Sequence, residues 1–326
     1  MKNLITGGAG FIGSHLAEEL LKQGHQVRVI DDLSTGSIEN IRHLEDHPNF
    51  SYTIETILDR EVLGMVAHGV DRIYHLAAAV GVQLIVEEPL RTLQTNIEGT
   101  ESVLKVANAN RAKVLIASTS EIYGKNLNAP FKENDDRILG STTKTRWSYS
   151  TSKAVDEILA LAYHREKRLP VVVVRLFNTC GPRQTGQYGM VIPRFVRQAL
   201  RNEPITIFGD GQQTRCFCFV GDTVRALMSL MDSRKAEGEI FNVGSSREIS
   251  IEDLANLIIK MTDSSSNMEF IPYHIAYEEG FEDMLRRVPD TSKILEFVGF
   301  KTEVDLEELL ERVIDYQKSR LDGSKY

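Results

Sequence analysis

The residues best suited to chemistry in this sequence are a tyrosine and a lysine four positions apart. In Tyr149-Ser150-Thr151-Ser152-Lys153 the spacing places the phenol and the ammonium on one face at the start of a helix. A phenol with an ordinary pKa near ~10 is a poor base at neutral pH, and a neighbouring ammonium lowers that pKa. The pair therefore indicates proton transfer, although Tyr-x-x-x-Lys alone often occurs by chance.

A second polar cluster, Thr119-Ser120-Glu121, follows an apolar run at Lys113–Ser118 that we predict to be a strand. The carboxyl ends of parallel strands border the ligand crevice of an open α/β sheet. We therefore expect the cluster to face the same cavity as Tyr149. The alternative, a polar strand end that only caps the next helix, stays open at this point.

A glycine-rich turn, Gly7-Gly8-Ala9-Gly10-Phe11-Ile12-Gly13, joins the first predicted strand to the first predicted helix. Its glycines allow a tight turn and a close approach of backbone amides to a pyrophosphate. Asp31, 18 residues after Gly13, ends the second predicted strand, where a carboxylate can accept the ribose hydroxyls. Asp31 and Asp32 would repel a 2′-phosphate, so the pattern predicts NAD rather than NADP, with a turn that binds no dinucleotide as the alternative.

The elements that must position these residues alternate between β-rich apolar runs and amphipathic segments. The alternation predicts an α/β fold with a doubly wound, parallel, Rossmann-type sheet. The predicted strands are Asn3–Thr6, Gln26–Ile30, Phe50–Glu55, Arg72–Leu76, Lys113–Ser118 and Val171–Phe177, and the predicted helices are Phe11–Gln23, Leu90–Ala109 and Ser152–Arg168.

After residue 178 the pattern predicts a smaller, mixed α/β C-terminal lobe. Its predicted elements are helices at Ile192–Arg201, Ile251–Met261 and Leu306–Tyr316 and a strand at Ile205–Phe208, and the strand Glu239–Val243 returns to the main sheet. We therefore assign residues 1–178 and 215–244 to the NAD-binding domain and residues 179–214 and 245–326 to the lobe.

Composition excludes several classes of protein. The chain has 326 residues, of which 42% are hydrophobic and 26% charged, and its net charge is −8. These values are typical of a globular protein and argue against disorder and against binding to nucleic-acid backbones. No apolar stretch reaches the ~18 residues of a membrane span, and the first residues resemble no signal peptide. We expect a cytoplasmic protein that binds neither membrane nor nucleic acid.

The cysteines Cys180, Cys216 and Cys218 are odd in number, so we expect no disulfide framework. Cys216-Phe217-Cys218 lacks the spacing of a zinc knuckle, and we interpret it as two small residues on one face of a strand. No metal site is predicted.

Several segments together resemble the extended short-chain dehydrogenases/reductases that act on nucleotide sugars. They are the glycine-rich turn, Asp31, the segment 119–124, the Tyr149/Lys153 pair and Arg175-Leu176-Phe177-Asn178. The resemblance extends over nearly the whole chain and implies bound NAD, oxidation of the sugar at C4 and a 4-keto intermediate. It implies that Tyr149 is the base for the C4 hydroxyl, that Lys153 anchors the nicotinamide ribose and that Thr119 binds the C4 oxygen.

Three reactions can follow C4 oxidation in that family. In 4,6-dehydratases an aspartate stands where this chain has Ser120, which is too weak an acid to protonate a leaving hydroxyl. The triplet Thr119-Ser120-Glu121 resembles that of uronate decarboxylases, where a ketone β to the carboxylate promotes loss of CO₂. We expect decarboxylation of a UDP-uronate. One alternative is C4 epimerisation, because the run from Asp31 to Gly36 resembles the corresponding run of epimerases. The other is a non-catalytic NAD-binding regulator.

The resemblance also implies contacts for individual residues. For the cofactor these are Gly7, Gly10, Phe11, Ile12, Gly13, Asp31, Asp32, Ile57, Leu76, Ala77, Ala78, Asn96 and Lys153. The implied catalytic residues are Thr119, Ser120, Glu121, Tyr149, Lys153 and Arg215, and the implied substrate contacts are Asn178, Arg183, Val191, Arg215 and Arg286 or Arg287. Gln187-Tyr188-Gly189 is expected near the nucleobase, and the two long helices are expected to pair with a second subunit in a homodimer.

Overall fold

A seven-stranded sheet lies at the centre of the structure, a computed structural model that describes residues 1–79, 88–186, 190–276 and 284–323. All neighbouring strands in it are parallel, in the order β11-β6-β5-β4-β1-β2-β3. The strands are β1 (Lys2–Thr6), β2 (Gln26–Asp31), β3 (Phe50–Ile54), β4 (Arg72–His75), β5 (Lys113–Thr119), β6 (Val171–Leu176) and β11 (Glu239–Val243).

The strands are apolar along their length because both faces of the sheet are covered. In β6, Val172 and Val174 enter one core cluster, while Val171 and Val173 enter the other. The helices of the described residues are α1 (Phe11–Lys22), α2 (Arg60–Val66), α3 (Pro89–Asn110), α4 (Ser148–Lys167), α5 (Val191–Leu200), α6 (Val220–Asp232), α7 (Ile251–Thr262), α8 (Tyr273–Ala276), α9 (Ser292–Val298) and α10 (Leu306–Gly323). Helices α1, α6 and α9 cover one face, and α2, α3 and α4 cover the other.

A third core cluster holds the C-terminal lobe together. Its buried residues come mainly from α5, α7 and α10, with Phe195, Leu254 and Leu310 at most 1% exposed. Three small two-stranded sheets complete the lobe: β7 (Thr179–Cys180) with β10 (Cys218–Phe219), β8 (Ile205–Phe208) with β13 (Met268–Ile271), and β9 (Thr214–Cys216) with β12 (Glu248–Ser250).

The predicted doubly wound sheet and mixed C-terminal lobe are confirmed. The interpretation of Cys216 and Cys218 as neighbours on one strand face is wrong, because Cys216 ends β9 and Cys218 begins β10, and these strands pair with different partners. All three cysteines are buried free thiols. Helix α4 begins four residues earlier than predicted, at Ser148, which places Tyr149 in its first turn. None of the helices described here is long and apolar enough to cross a bilayer.

Candidate active site

A cavity of about 900 Å³ lies where the carboxyl ends of the central strands face the C-terminal lobe. The order of the sheet reverses around β1, whose neighbours are β2 and β4, and such a reversal opens a crevice for ligands. The lining includes Gly7 after β1, Tyr149 of α4 and Arg197 of α5, so both parts of the molecule contribute. A ligand in this cavity therefore contacts the sheet at one end and the lobe at the other.

The glycine-rich turn leaves space that side chains would fill. Gly7 has φ +72°, and a Cβ placed on it would lie 2.7 Å from the Ala77 nitrogen. A Cβ on Gly13 would lie 2.3 Å from the Gly7 carbonyl oxygen. The turn leads directly into α1, a helix of 12 residues whose N-terminal amides attract negative charge. This cradle fits the pyrophosphate of a dinucleotide.

Asp31 lies at the end of β2, beside this turn. Its carboxylate accepts hydrogen bonds from the amides of Ala9, at 2.9 Å, and Leu33, at 2.8 Å. Burial raises the pKa of Asp31, and the hydrogen bonds from Leu33 and Ala9 oppose that shift. A carboxylate has about four acceptor sites, so two remain for the hydroxyls of an adenosine ribose.

The predicted cofactor residues separate into a lining group and a supporting group. The lining group comprises Gly7, Gly10, Phe11, Ile12, Gly13, Asp31, Asp32, Ile57, Leu76, Ala77 and Ala78. Asn96 is 1% exposed and lies behind the lining: its Oδ1 accepts from the Ala79 amide at 2.9 Å, and its Nδ2 donates to Ser152 Oγ at 3.1 Å. Asn96, on α3, therefore connects the segment that follows β4 to α4.

The polar cluster after β5 lies on the same cavity wall as Tyr149. Thr119, Ser120, Glu121 and Tyr149 all line the cavity. Residues 120–123 form a 3₁₀ turn in which Thr119 Oγ1 accepts a hydrogen bond from the Glu121 amide at 3.2 Å. Ser150 Oγ donates to the Glu121 carbonyl at 2.8 Å, which fixes the turn to the first turn of α4. The hydroxyl, the phenol and the carboxylate of the predicted set thus meet at one cavity, whereas Lys153 is not among its lining residues.

Lys153 lies one helical turn beyond Tyr149 and is 2% exposed. Its Nζ donates to Asp156 Oδ2 at 2.7 Å. The sequence prediction paired Lys153 with Tyr149 and did not include this carboxylate.

The two adjacent arginines of the predicted substrate set face different surroundings. Arg287 lines the cavity and forms an ion pair with Glu121 at 3.6 Å. Arg286 is half exposed and binds Glu248 at 2.8 Å, on the outer side of the lobe. The structure therefore selects Arg287 as the one that can meet a ligand.

The remaining predicted substrate residues, Asn178, Arg183, Val191 and Arg215, line the cavity. Asn178 donates to the Cys216 carbonyl at 2.9 Å, and Arg215 donates to the Thr214 carbonyl at 2.8 Å. Arg183 binds Glu18 and also donates to Ser14 Oγ, at 3.2 Å, so it connects the loop after β7 to α1. Arg215 is 8% exposed, and its guanidinium contributes positive charge to the lining of the cavity.

Sequence reasoning missed an aromatic group at the lobe end of the cavity. Arg194 lies over the ring of Phe208 at 4.1 Å, and both residues line the cavity together with Tyr273. Phe208 ends β8 immediately before Gly209-Asp210-Gly211, and an aromatic residue at a strand end before such a turn was the available signal. Flat rings beside a guanidinium suit a nucleobase.

One predicted segment, Gln187-Tyr188-Gly189, lies outside the described residues. Within the ranges that the structure does describe, no group of three His, Cys, Asp or Glu side chains could hold a metal ion.

Comparison with known proteins identifies the family of the chain. The family model described as GDP-mannose 4,6 dehydratase matches residues 4–313. The chain belongs to this family. Its members are extended short-chain dehydrogenases/reductases, as the motifs predicted, and the chain is an enzyme.

Two relatives are similar along most of the chain. A UDP-N-acetyl-alpha-D-glucosaminuronate decarboxylase from Bacillus cytotoxicus is 43% identical over 314 residues, which are 96% of this chain and 96% of the relative. UDP-glucuronic acid decarboxylase 2 from Arabidopsis thaliana is 36% identical over all of this chain and 70% of the relative.

A solved structure with a similar fold is UDP-glucuronic acid 4-epimerase from Bacillus cereus, in complex with UDP-glucuronic acid and NAD. It matches with a TM-score of 0.88 at 31% identity, over 98% of this chain and 100% of that chain. The cofactor of the chain is NAD. The glycine cradle and the Asp31 carboxylate described above fit it.

Proposed function

We propose that the protein is an NAD-dependent decarboxylase of a UDP-linked uronate that acts through a 4-keto intermediate. The observation that carries the proposal is the Glu121–Arg287 ion pair, because it provides a carboxylate and a guanidinium in the cavity that Tyr149 also lines. The similarity to two decarboxylases of UDP-uronates supports it.

The first step is oxidation at C4. Tyr149, in the first turn of α4, accepts the proton of the C4 hydroxyl, and Thr119 binds the C4 oxygen. NAD, when bound, would supply the hydride acceptor for the oxidation at C4 and the hydride donor for the later reduction. Lys153 holds its positive charge one turn away, which favours the ionised phenol.

The second step is loss of C6. The C4 ketone lies β to the C6 carboxylate, so the C5–C6 bond breaks, CO₂ leaves and the electron pair moves onto the C4 oxygen as an enolate. Thr119 and the protonated Tyr149 donate to that oxygen. Arg287 and Arg215 hold the carboxylate before it leaves, and Glu121 orients the sugar. The proton that C5 takes up comes from water by way of Glu121. Tyr149 gives its proton back to the C4 oxygen when the ketone is reduced, so the uronate and one proton yield the pentose and CO₂.

The proposed substrate class is a UDP-uronate with a hydroxyl or an acetamido group at C2, since the two relatives named above differ in that substituent. Asn178 and Arg183 are proposed to bind the diphosphate. Phe208, Arg194 and Tyr273 are proposed to surround the uracil at the lobe end of the cavity.

C4 epimerisation is the second candidate. The UDP-glucuronic acid 4-epimerase with a similar fold shows that the fold accommodates a uronate without removing its carboxylate. Epimerisation needs only rotation of the keto sugar and return of the hydride to its other face. The difference between the two reactions therefore lies in the fate of C6.

The test is proton NMR of the holoenzyme with UDP-glucuronate and UDP-N-acetylglucosaminuronate, and with UDP-glucose as the neutral control. Loss of C6 and release of CO₂ supports decarboxylation, whereas a galacto-configured uronate with six carbons would establish epimerisation. The variant Glu121→Gln should retain NAD and lose at least about 100-fold in CO₂ release. Full turnover by that variant would remove Glu121 from the mechanism.

We also propose that the enzyme is a cytoplasmic homodimer paired through α3 and α4. Ile158 of α4 is 64% exposed, and Leu90 of α3 is 68% exposed, so these helices present apolar side chains at the surface. Light scattering tests the dimer, and the variant Ile158→Glu should shift it toward monomer.

A further inference from the structure

The reacting lysine has a buried partner that the mechanism above does not use. Lys153 and Asp156 are adjacent on one face of α4, and their side chains are 2% and 0% exposed. The Asp156 Oδ1 atom is buried with no hydrogen-bond partner among the described residues, whereas Oδ2 accepts from Lys153 Nζ at 2.7 Å. Lys153 therefore carries the main interaction of this carboxylate.

A buried ammonium needs an opposite charge close to it. Removing one partner of a buried ion pair leaves the other as an uncompensated charge, and a buried amine then favours its neutral form. The other groups around the pair do not supply this charge. His75, on β4 behind Lys153, stays neutral because burial and the Lys153 ammonium lower its pKa to about 3.

The remaining titratable groups around the pair are already engaged or belong to the reaction. They are Glu157 of α4, which binds Arg175 of β6, Glu121 after β5, which pairs with Arg287, and Tyr149. From α3 the residue beside Asp156 is Thr100, which does not titrate and which also contacts His75 at 3.0 Å. Asp156 is thus the counter-charge in direct contact with Lys153.

We propose that Asp156 is a positioning residue for Lys153: its carboxylate keeps the ammonium charged and directs one Nζ–H bond away from the cavity. An ammonium has three N–H donors, so two remain free of Asp156 and can bind the nicotinamide ribose. The positive charge of the same ammonium acts on Tyr149. The roles of Tyr149 and Lys153 in this proposal rest on the proposed function. The charge of Lys153, on which ionisation of Tyr149 depends, is set by a residue that does not touch the substrate.

The variant Asp156→Asn tests the proposal, with Asp222→Asn as the matched control. Asp222 is also a buried helical aspartate with a basic partner three residues away, Arg225, and it lies on α6, outside the lining of the cavity. Both variants remove the charge of a buried aspartate that pairs with a basic side chain, and both should unfold at lower temperature. Only Asp156→Asn should weaken NAD binding by about tenfold or more and lower kcat at neutral pH by a similar factor, with the KM for the UDP-uronate little changed.

The pH profile separates positioning from packing. In Asp156→Asn the uncompensated amine loses its proton, so Tyr149 ionises less readily and the acidic limb of the kcat profile moves to higher pH by about one pH unit or more. An unchanged limb together with unchanged NAD affinity would overturn the proposal. NAD affinity is measured by calorimetry without any sugar, so it reports on Asp156 even if no UDP-uronate is turned over and the proposed function fails.

The variant Asp156→Glu covers the case in which Asp156→Asn does not fold. It keeps the charge but moves it by one methylene group, so kcat should fall while the acidic limb stays in place. Wild-type kcat and NAD affinity in Asp156→Glu would show that the position of the carboxylate does not matter and would overturn the proposal.

Discussion

The carboxylate of Glu157 accepts two hydrogen bonds from the guanidinium of Arg175, at 2.9 Å from Nε and at 2.8 Å from the terminal nitrogen. Both side chains are 6% exposed. Arg175 lies on β6, and Glu157 lies two turns after Tyr149 on α4. The pair therefore fixes the helix that carries the proposed base to the sheet, beneath the cavity.

We predict that Glu157→Gln lowers the free energy of unfolding by about 3–5 kcal/mol, because it leaves the buried Arg175 guanidinium without its counter-charge. Urea unfolding measures the loss. Glu101→Gln is the control, since Glu101 pairs with Lys105 on the exposed side of α3 and should matter little. Equal losses in the two variants would contradict the assignment.

Arg287 and Arg286 offer a matched pair of neighbours. Arg287→Gln should lower CO₂ release from a UDP-uronate by about 100-fold or more, because it removes the cation that pairs with Glu121 in the cavity. Arg286→Gln loses only an exposed contact with Glu248 and should keep near wild-type turnover. Steady-state kinetics distinguishes them, and similar kcat/KM values for both variants would place neither arginine at the reacting centre.

Two glycine-to-alanine changes, one in the glycine cradle and one outside it, should have different effects. Gly13→Ala should abolish NAD retention, because its Cβ would lie 2.3 Å from the Gly7 carbonyl oxygen. Gly64→Ala lies in α2 with no atom within 4 Å of the added Cβ and should stabilise the helix by up to about 1 kcal/mol. NAD content of the purified proteins and thermal unfolding check the two outcomes. A Gly13→Ala protein that still carries NAD would disprove the role of the turn.

His75 predicts how stability depends on pH. Its pKa in the folded protein is about 3, below the ordinary 6.5, so the unfolded chain binds a proton that the folded chain does not. The contribution is complete above pH 6.5 and decreases as the pH falls toward 3. Between pH 7 and pH 5 wild type should lose about 2 kcal/mol from this residue.

The variant His75→Gln isolates that contribution, since it removes the titrating ring from between Thr6 and Thr100. Urea unfolding at the two pH values should give a smaller loss for the variant than for wild type. Parallel losses would show that His75 does not titrate as the structure implies.

Much of the fold follows from local sequence. The valines of β6 predict a strand covered on both faces, and the observed β5 and β6 differ from prediction by one residue at their ends. Strands of this kind can be predicted because burial on both faces imposes an apolar run. The turn at residues 7–13 and the carboxylate of Asp31 could be placed for a similar reason, since both lie at strand ends.

Other parts of the site depend on packing between distant segments. Arg194, Phe208 and Tyr273 meet only because α5, β8 and α8 pack together in the lobe. The adjacent Arg286 and Arg287 lie in an irregular segment, so no periodicity indicates which of them faces inward. The spacing of Lys153 and Asp156 is visible in the sequence, but their joint burial is a property of the folded protein.

The return of β11 to the sheet has a consequence for biosynthesis. β11 pairs with β6, and α6 packs beside α1 on the same face, so residues 220–243 cover apolar surface of strands made long before them. A nascent chain that has emerged only to residue 178 would expose Val172 and Val174 to water. Stable closure of the cofactor half must therefore wait until about three quarters of the polypeptide has left the ribosome.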